Sequence, residues 1–188
     1  MTPFWRRGVV LGAAVLMTTV FVALSCTGGG EPRVRPGGAS SYPLQTFADQ
    51  GREHLPSGQT NNNYNSNPPT SGSHAPRPAD WGVHNVPVPK EAIVHNMEHG
   101  GAAIWYNCAG GPSPLDAAGC QQLAASLAQI ARQSLDQGRL VVMTPYAGMS
   151  QRIALTAWQT LDAFDDFDSV RVVDFIARYE RLFNPEGF

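Results

Sequence analysis

No run of lysine or arginine occurs anywhere in this chain, and its formal net charge is −2. Electrostatic binding to nucleic acid needs clustered cations that displace counterions, so nucleic acid is not an expected partner. Several enzyme signatures are also missing: there is no Gly-x-Ser-x-Gly elbow, no phosphate-binding glycine loop and no Cys-x-x-Cys pair. Charged residues make up only 15% of 188 residues while 43% are hydrophobic. That length and balance suit one compact core plus a tail, not two cores. Cysteine is scarce as well, with Cys26, Cys108 and Cys120 the only three.

The amino terminus carries an export signal. Arg6 and Arg7 precede an uncharged run from Gly8 to Leu24, which ends at Ala23-Leu24-Ser25-Cys26. A small residue before a cysteine at the end of such a run resembles the lipobox of bacterial lipoproteins, with Cys26 as the acylated residue. The alternative is a plain anchor or secretory signal, the run being somewhat short of the about 20 residues that span a bilayer. Both readings place the remainder outside the cytoplasm, and the lipoprotein or anchor reading tethers it to the bacterial cell membrane. The expected organisation is a signal or anchor over residues 1–26, a flexible linker over 27–41 with little to bury, and a single domain over 42–188. In an oxidising compartment Cys108 and Cys120 are expected to pair as a disulfide that staples the turn-rich insert between them.

Residues 42–90 hold eight prolines and no sustained period, but Phe47, Leu55, Tyr64, Trp81 and Val83 suggest that the segment wraps a core. Gly101–Tyr106 reads as a buried strand, which can begin as early as Ile93. Leu123, Leu127, Ile130, Ala131 and Leu135 recur at helical spacing, giving a helix over 121–137 that Gly138 stops. Leu140–Thr144 and Ile153–Trp158 read as the two strands of a β-hairpin. Ser169–Phe183 reads as a final amphipathic helix capped by Ser169. The expected fold is α+β: an antiparallel or mixed sheet with two helices on one face, preceded by a long Pro/Asn-rich wrapping segment.

The densest chemistry lies in Val94-His95-Asn96-Met97-Glu98-His99-Gly100-Gly101. Read as a strand, it projects His95, Met97 and His99 to one side. With His74 and Met149 added, the set offers imidazoles and a thioether, donors that favour copper over magnesium or calcium. Read as a helix, His95-x-x-Glu98-His99 becomes the inverted zincin signature of a zinc hydrolase, with Glu180 a conceivable third ligand. Gly100-Gly101 and the nearby Pro87 and Pro89 make the helix short and the strand the favoured reading. Glu98 and His54 are candidates for orienting an imidazole or for alternative ligation. Met143 reads as core, and Asp162, Asp165, Asp166 and Asp168 as a solvated turn before a helix.

The segments Gly51-Arg52-Glu53-His54, Tyr64 to His74, Trp81-Gly82-Val83 and Val94 to Gly101 together resemble domain-of-unknown-function family 3105 over residues 42–185. The resemblance implies no reaction. It implies His54, His74, His95, Glu98 and His99 as motif positions, and it leaves His84 in a place where an aromatic residue is expected. The functional expectation is transition-metal binding, copper first and zinc as the alternative, for sensing, storage or delivery rather than turnover. The second expectation is a cell-surface interaction module with a hydrogen-bonded histidine network, and the third is the zinc hydrolase.

Overall fold

A computed structural model of the chain describes Met1 and residues 42–185. Cys26 and the 27–41 linker lie outside the described residues. Residues 42–185 belong to one compact unit. Among the described residues no helix is long and apolar enough to cross a membrane.

The fold is α+β and is built on the strand β3, Ala102–Tyr106, which is buried along its whole length. Its side chains alternate faces as the pleat requires. Ala102, Ile104 and Tyr106 enter one apolar cluster, and Ala103 and Trp105 enter another on the opposite face. β3 pairs in parallel with β4 (Val141–Pro145) and antiparallel with β5 (Ile153–Ala157). β6 (Thr160–Phe164) continues antiparallel to β5. Two short edge strands, β1 (Gln45–Thr46) on β6 and β2 (Gly82–Val83) on β4, complete a six-stranded mixed sheet in the order β1-β6-β5-β3-β4-β2.

The helix α2 (Ala117–Asp136) forms the crossover between the parallel strands β3 and β4, the connection that a parallel pair demands. Asp116 caps it by accepting from the Gly119 N–H at 2.7 Å. Leu127 and Ala131 turn into the sheet and are fully buried. The helix α3 (Ser169–Tyr179) lies on the same face through Val172, Phe175 and Ile176. These are the expected two helices on one face. The disulfide joins Cys108, just after β3, to Cys120 in the first turn of α2.

Four local expectations are corrected. Residues 93–98 are not a strand: α1 spans Lys90–Glu98. Ile93, Val94 and Met97 meet apolar clusters at helical spacing, an arrangement that a period of two would break. The helix does end at the glycines, with Gly100 at φ +83. Gly101 is needed for space, since a Cβ there would lie 2.5 Å from the Trp81 ring. Second, β4 and β5 are not a hairpin, because β3 lies between them. β4 lies between β3 and β2 and β5 between β3 and β6, so both are interior strands, which suits their continuous apolar character. Third, the hairpin is β5–β6, closed over Trp158 and Gln159, with Gln159 at φ +61. Its turn is held by Gln159 N–H donating to the Thr70 carbonyl and Phe47 N–H donating to the Gln159 carbonyl. Asp162 is therefore a strand residue, buried and paired with Arg171, whose Nε lies 2.8 Å from Oδ2. Fourth, Asp168 and not Ser169 caps α3, accepting from the N–H groups of Val170 and Arg171.

The second face of the sheet is covered by α1 and by the segment 42–90. Phe47, Trp81 and Val88 from that segment pack against the cluster of Ile93, Ala103, Trp105, Val142 and Ala154.

Candidate metal centre

Along α1, Glu91, His95 and Glu98 recur at four- and three-residue intervals and so share one face, opposite Ile93 and Met97. His99 follows His95 by one turn. Against this face runs the Gly72–Ala75 stretch of the wrapping segment. It is held by Ala75 N–H donating to the Glu91 carbonyl at 3.2 Å and by Tyr64 Oη donating to the Ser73 carbonyl at 2.9 Å. A third segment joins through an isolated parallel bridge of His54 with His74, in which Leu55 N–H donates to the His74 carbonyl at 2.7 Å. Three pieces of chain, none periodic with another, thus converge.

The imidazole Nε2 atoms of His54 and His74 both face one carboxylate. His74 Nε2 lies 3.0 Å from Glu98 Oε2, and His54 Nε2 lies 3.8 Å from the same oxygen. One donor atom from each of His54, His74, His95 and Glu98 lies within 4.8 Å of every other. His74 is wholly buried and His95 and Glu98 nearly so, while His54 is half exposed. His95 stacks on His54 at 4.9 Å between ring centroids and meets His74 edge-on at 5.0 Å.

Backbone carbonyls orient two of the rings. His74 Nδ1 donates to the Gly72 carbonyl at 2.9 Å, and His95 Nδ1 donates to the Ala75 carbonyl at 2.7 Å. A carbonyl can only accept, so in the neutral rings the proton is on Nδ1 and the Nε2 lone pair points inward. Gly72 adopts φ +114 to present its carbonyl, and a Cβ there would press on Gln50 and Tyr64 at 3.2 Å. Burial holds the His95 pKa below its ordinary value, and the neighbouring imidazoles push it the same way. A neutral His95 is the form that binds a metal ion.

His99 Nε2 lies 2.8 Å from His95 Nε2. With His95 Nδ1 engaged, His99 Nε2–H is the donor in this pair when both rings are neutral. The helical reading therefore brings His95, Glu98 and His99 together, where a strand would have separated Glu98 from them. Met97 turns into an apolar cluster with Val94 and Trp158.

Met149 is placed with Ile93, Ala103, Trp105 and Val142 in the apolar core, 4% exposed. Met143 is core too. Glu180 is engaged elsewhere: it accepts from the Leu140 N–H at 3.0 Å and pairs with Arg139 and Arg181. His84 Nε2 donates to the Asp80 carbonyl and is not part of the cluster. Sequence reasoning missed Arg52, whose Nε lies 3.9 Å from Glu98 Oε1. It also missed the two orienting carbonyls, which no side-chain pattern advertises.

Chemically, the arrangement is a buried His/Glu cluster able to hold a metal ion. A family model described as "Protein of unknown function (DUF3105)" matches residues 56–187. No curated protein and no solved structure matches the chain.

Proposed function

We propose that this chain, which belongs to the DUF3105 family, binds one divalent transition-metal ion through His54, His74, His95 and Glu98, with His99 able to enter the same shell. The observation that carries this reading is the contact of His74 Nε2 with Glu98 Oε2 at 3.0 Å, made while His74 Nδ1 already donates to a carbonyl. A lone pair facing a carboxylate oxygen needs a cation. Either a proton or a metal ion supplies it. The metal ion is favoured because one donor atom from each of His54, His74, His95 and Glu98 lies within 4.8 Å of every other, and one proton serves only one donor–acceptor pair.

With Met149 in the core, the donors are imidazole and carboxylate, a set that suits Cu(II) and Zn(II) better than Cu(I). Copper(II) stands highest in the affinity order for such nitrogen-rich sites and is the first ion to test. The role is binding for sensing, storage or delivery outside the cytoplasm, on a domain tethered to the membrane through Cys26 or its flanking apolar run. The hydrolase reading gains from α1 being helical, but it needs Glu98 free to activate water, and Glu98 is engaged with His74. It also loses Glu180 as a ligand.

The test is metal analysis of tag-free protein purified from periplasm or culture medium, followed by titration of the stripped protein with Cu(II) and Zn(II). One ion per chain is expected, with His74→Ala and Glu98→Gln each weakening binding by about 100-fold or more. No stoichiometric metal in the native protein, together with unchanged behaviour of the His74/His95/His99 triple alanine variant, would overturn the proposal.

A further inference from the structure

A second concavity, of about 270 Å³, is lined by none of the imidazoles; its walls are Asn62, Tyr64, Ser66, Asn67, Lys90 and Tyr146. Its rim is set before any ligand arrives. Tyr146 Oη donates to Asn67 Oδ1 at 2.9 Å, and Asn67 Nδ2 donates to the Gly148 carbonyl, so the wrapping segment is pinned to the turn after β4. Tyr64 is fixed by its hydroxyl bond to Ser73.

Lys90 is the only lysine in the chain. Its Nζ stands 5.3 Å from the centroid of the Tyr64 ring and forms no ion pair with a described residue. No carboxylate lines the cleft. The Glu91 carboxylate, buried outside the lining, acts on both tyrosine hydroxyls but is itself engaged by the Asn61 N–H. The ammonium, held over a ring face with three N–H donors, is therefore the charged group that lines the cleft, and it suits an anion. One ammonium beside amide and hydroxyl groups matches a single carboxylate with hydroxyls around it, whereas a phosphate favours several cations or a guanidinium fork. At about 30 Å³ per water the cleft has the space of about nine waters, which suits one sugar ring and is too small and too polar for a lipid chain.

We propose that this cleft binds a hydroxylated carboxylate of single-sugar size, a uronic acid or its like. The ammonium of Lys90 receives the carboxylate, the Asn62 amide and the lone pair of the Tyr146 hydroxyl receive the sugar hydroxyls, and Tyr64, its own hydroxyl engaged by Ser73 and Asn61, offers the edge of an apolar wall.

The experiment is saturation-transfer NMR and calorimetry on metal-stripped protein, so that coordination at the histidine cluster cannot mimic binding. The probes are D-glucuronate, glucose (hydroxyls without charge) and acetate (charge without hydroxyls). Glucuronate is expected to bind with Kd near or below about 1 mM, and glucose and acetate about tenfold more weakly. Lys90→Met should weaken glucuronate by about tenfold or more and Asn62→Ala by a few-fold, both with unchanged thermal unfolding, since both side chains are partly or fully exposed. The proposal is overturned if native protein shows no glucuronate binding, if glucose binds as well as glucuronate, or if Lys90→Met binds like the native chain.

Discussion

The two faces of the sheet are both dry, and they are dried by different means. Under α2 and α3 the contact is nearly all hydrocarbon: Leu127, Ala131, Val172, Phe175 and Ile176 meet Ile104, Val141, Met143 and Leu155. On the other face, beneath α1 and the proline-rich segment, Thr70, Ser71, His74, Glu91, His95, Asn96 and Glu98 are all buried. Helices satisfy their own backbone, so they can cover a sheet with apolar side chains alone. A covering segment without regular structure must find partners for each N–H and C=O, and here side chains of α1 supply them. Asn96 receives the Ala79 N–H and donates to the Ala79 carbonyl, both at 2.9 Å, while Glu91 accepts from the Asn61 N–H. The candidate centre sits where that polar seam is densest. A site built in this way is held by hydrogen bonds rather than by packing volume, and the two faces should respond differently to substitution.

The largest contrast is expected from Leu127→Ala. It leaves a cavity in the helical face, should cost about 2–5 kcal/mol by denaturant unfolding, and should leave the metal stoichiometry of the folded protein unchanged. Loss of metal in that variant while it remains folded would show that the faces are coupled. Next is removal of the Cys108–Cys120 disulfide as a double alanine variant, expected to cost about 2–4 kcal/mol in the chain-entropy account, again on the helical side and again without effect on metal affinity. Asn96→Ala should cost less, about 1–3 kcal/mol, since it leaves the Ala79 N–H and carbonyl without their side-chain partner. Unlike the first two it should also weaken metal binding, because Ala75 and Ala79 belong to the same stretch of cover. Equal affinity in native protein and Asn96→Ala would break the comparison.

The smallest expected effect is on pH. Burial lowers the His95 pKa in the folded state below its ordinary 6.5. Between that lowered value and 6.5 the unfolded chain binds the proton and the folded chain does not. Metal-free protein should therefore lose stability as pH falls below about 6.5, and His95→Gln should reduce that slope. An unchanged slope of unfolding free energy against pH in the variant would remove His95 as its source.

The helical face was legible from residue spacing. Leu123, Leu127, Ile130 and Ala131 place α2 within a few residues, and Val172, Phe175 and Ile176 do the same for α3, because burial against a sheet imposes the 3.6-residue period directly. The wrapped face was much less so. Residues 93–98 fit both a strand and a short helix, and the period alone does not separate them over so few residues. Which neighbour each strand takes was also hidden, because β4 and β5 are apolar on both sides and carry no mark of which edge pairs with β3. Asp162 looked solvated because its partner Arg171 lies in another element.

By itself the sequence determined the α+β class, the helical spacing of α2 and α3, the pairing of Cys108 with Cys120 and the residue types from which a metal centre can be built. These are local properties, written in period, composition and short loops. Only the tertiary structure decided that α1 is a helix, that Met149 belongs to the core, and that His54 and His74 meet Glu98 across an isolated bridge. Such contacts join segments that share no period. Their convergence depends on where the wrapping segment finds hydrogen-bond partners on α1, which is a property of the folded surface and of no single stretch of chain.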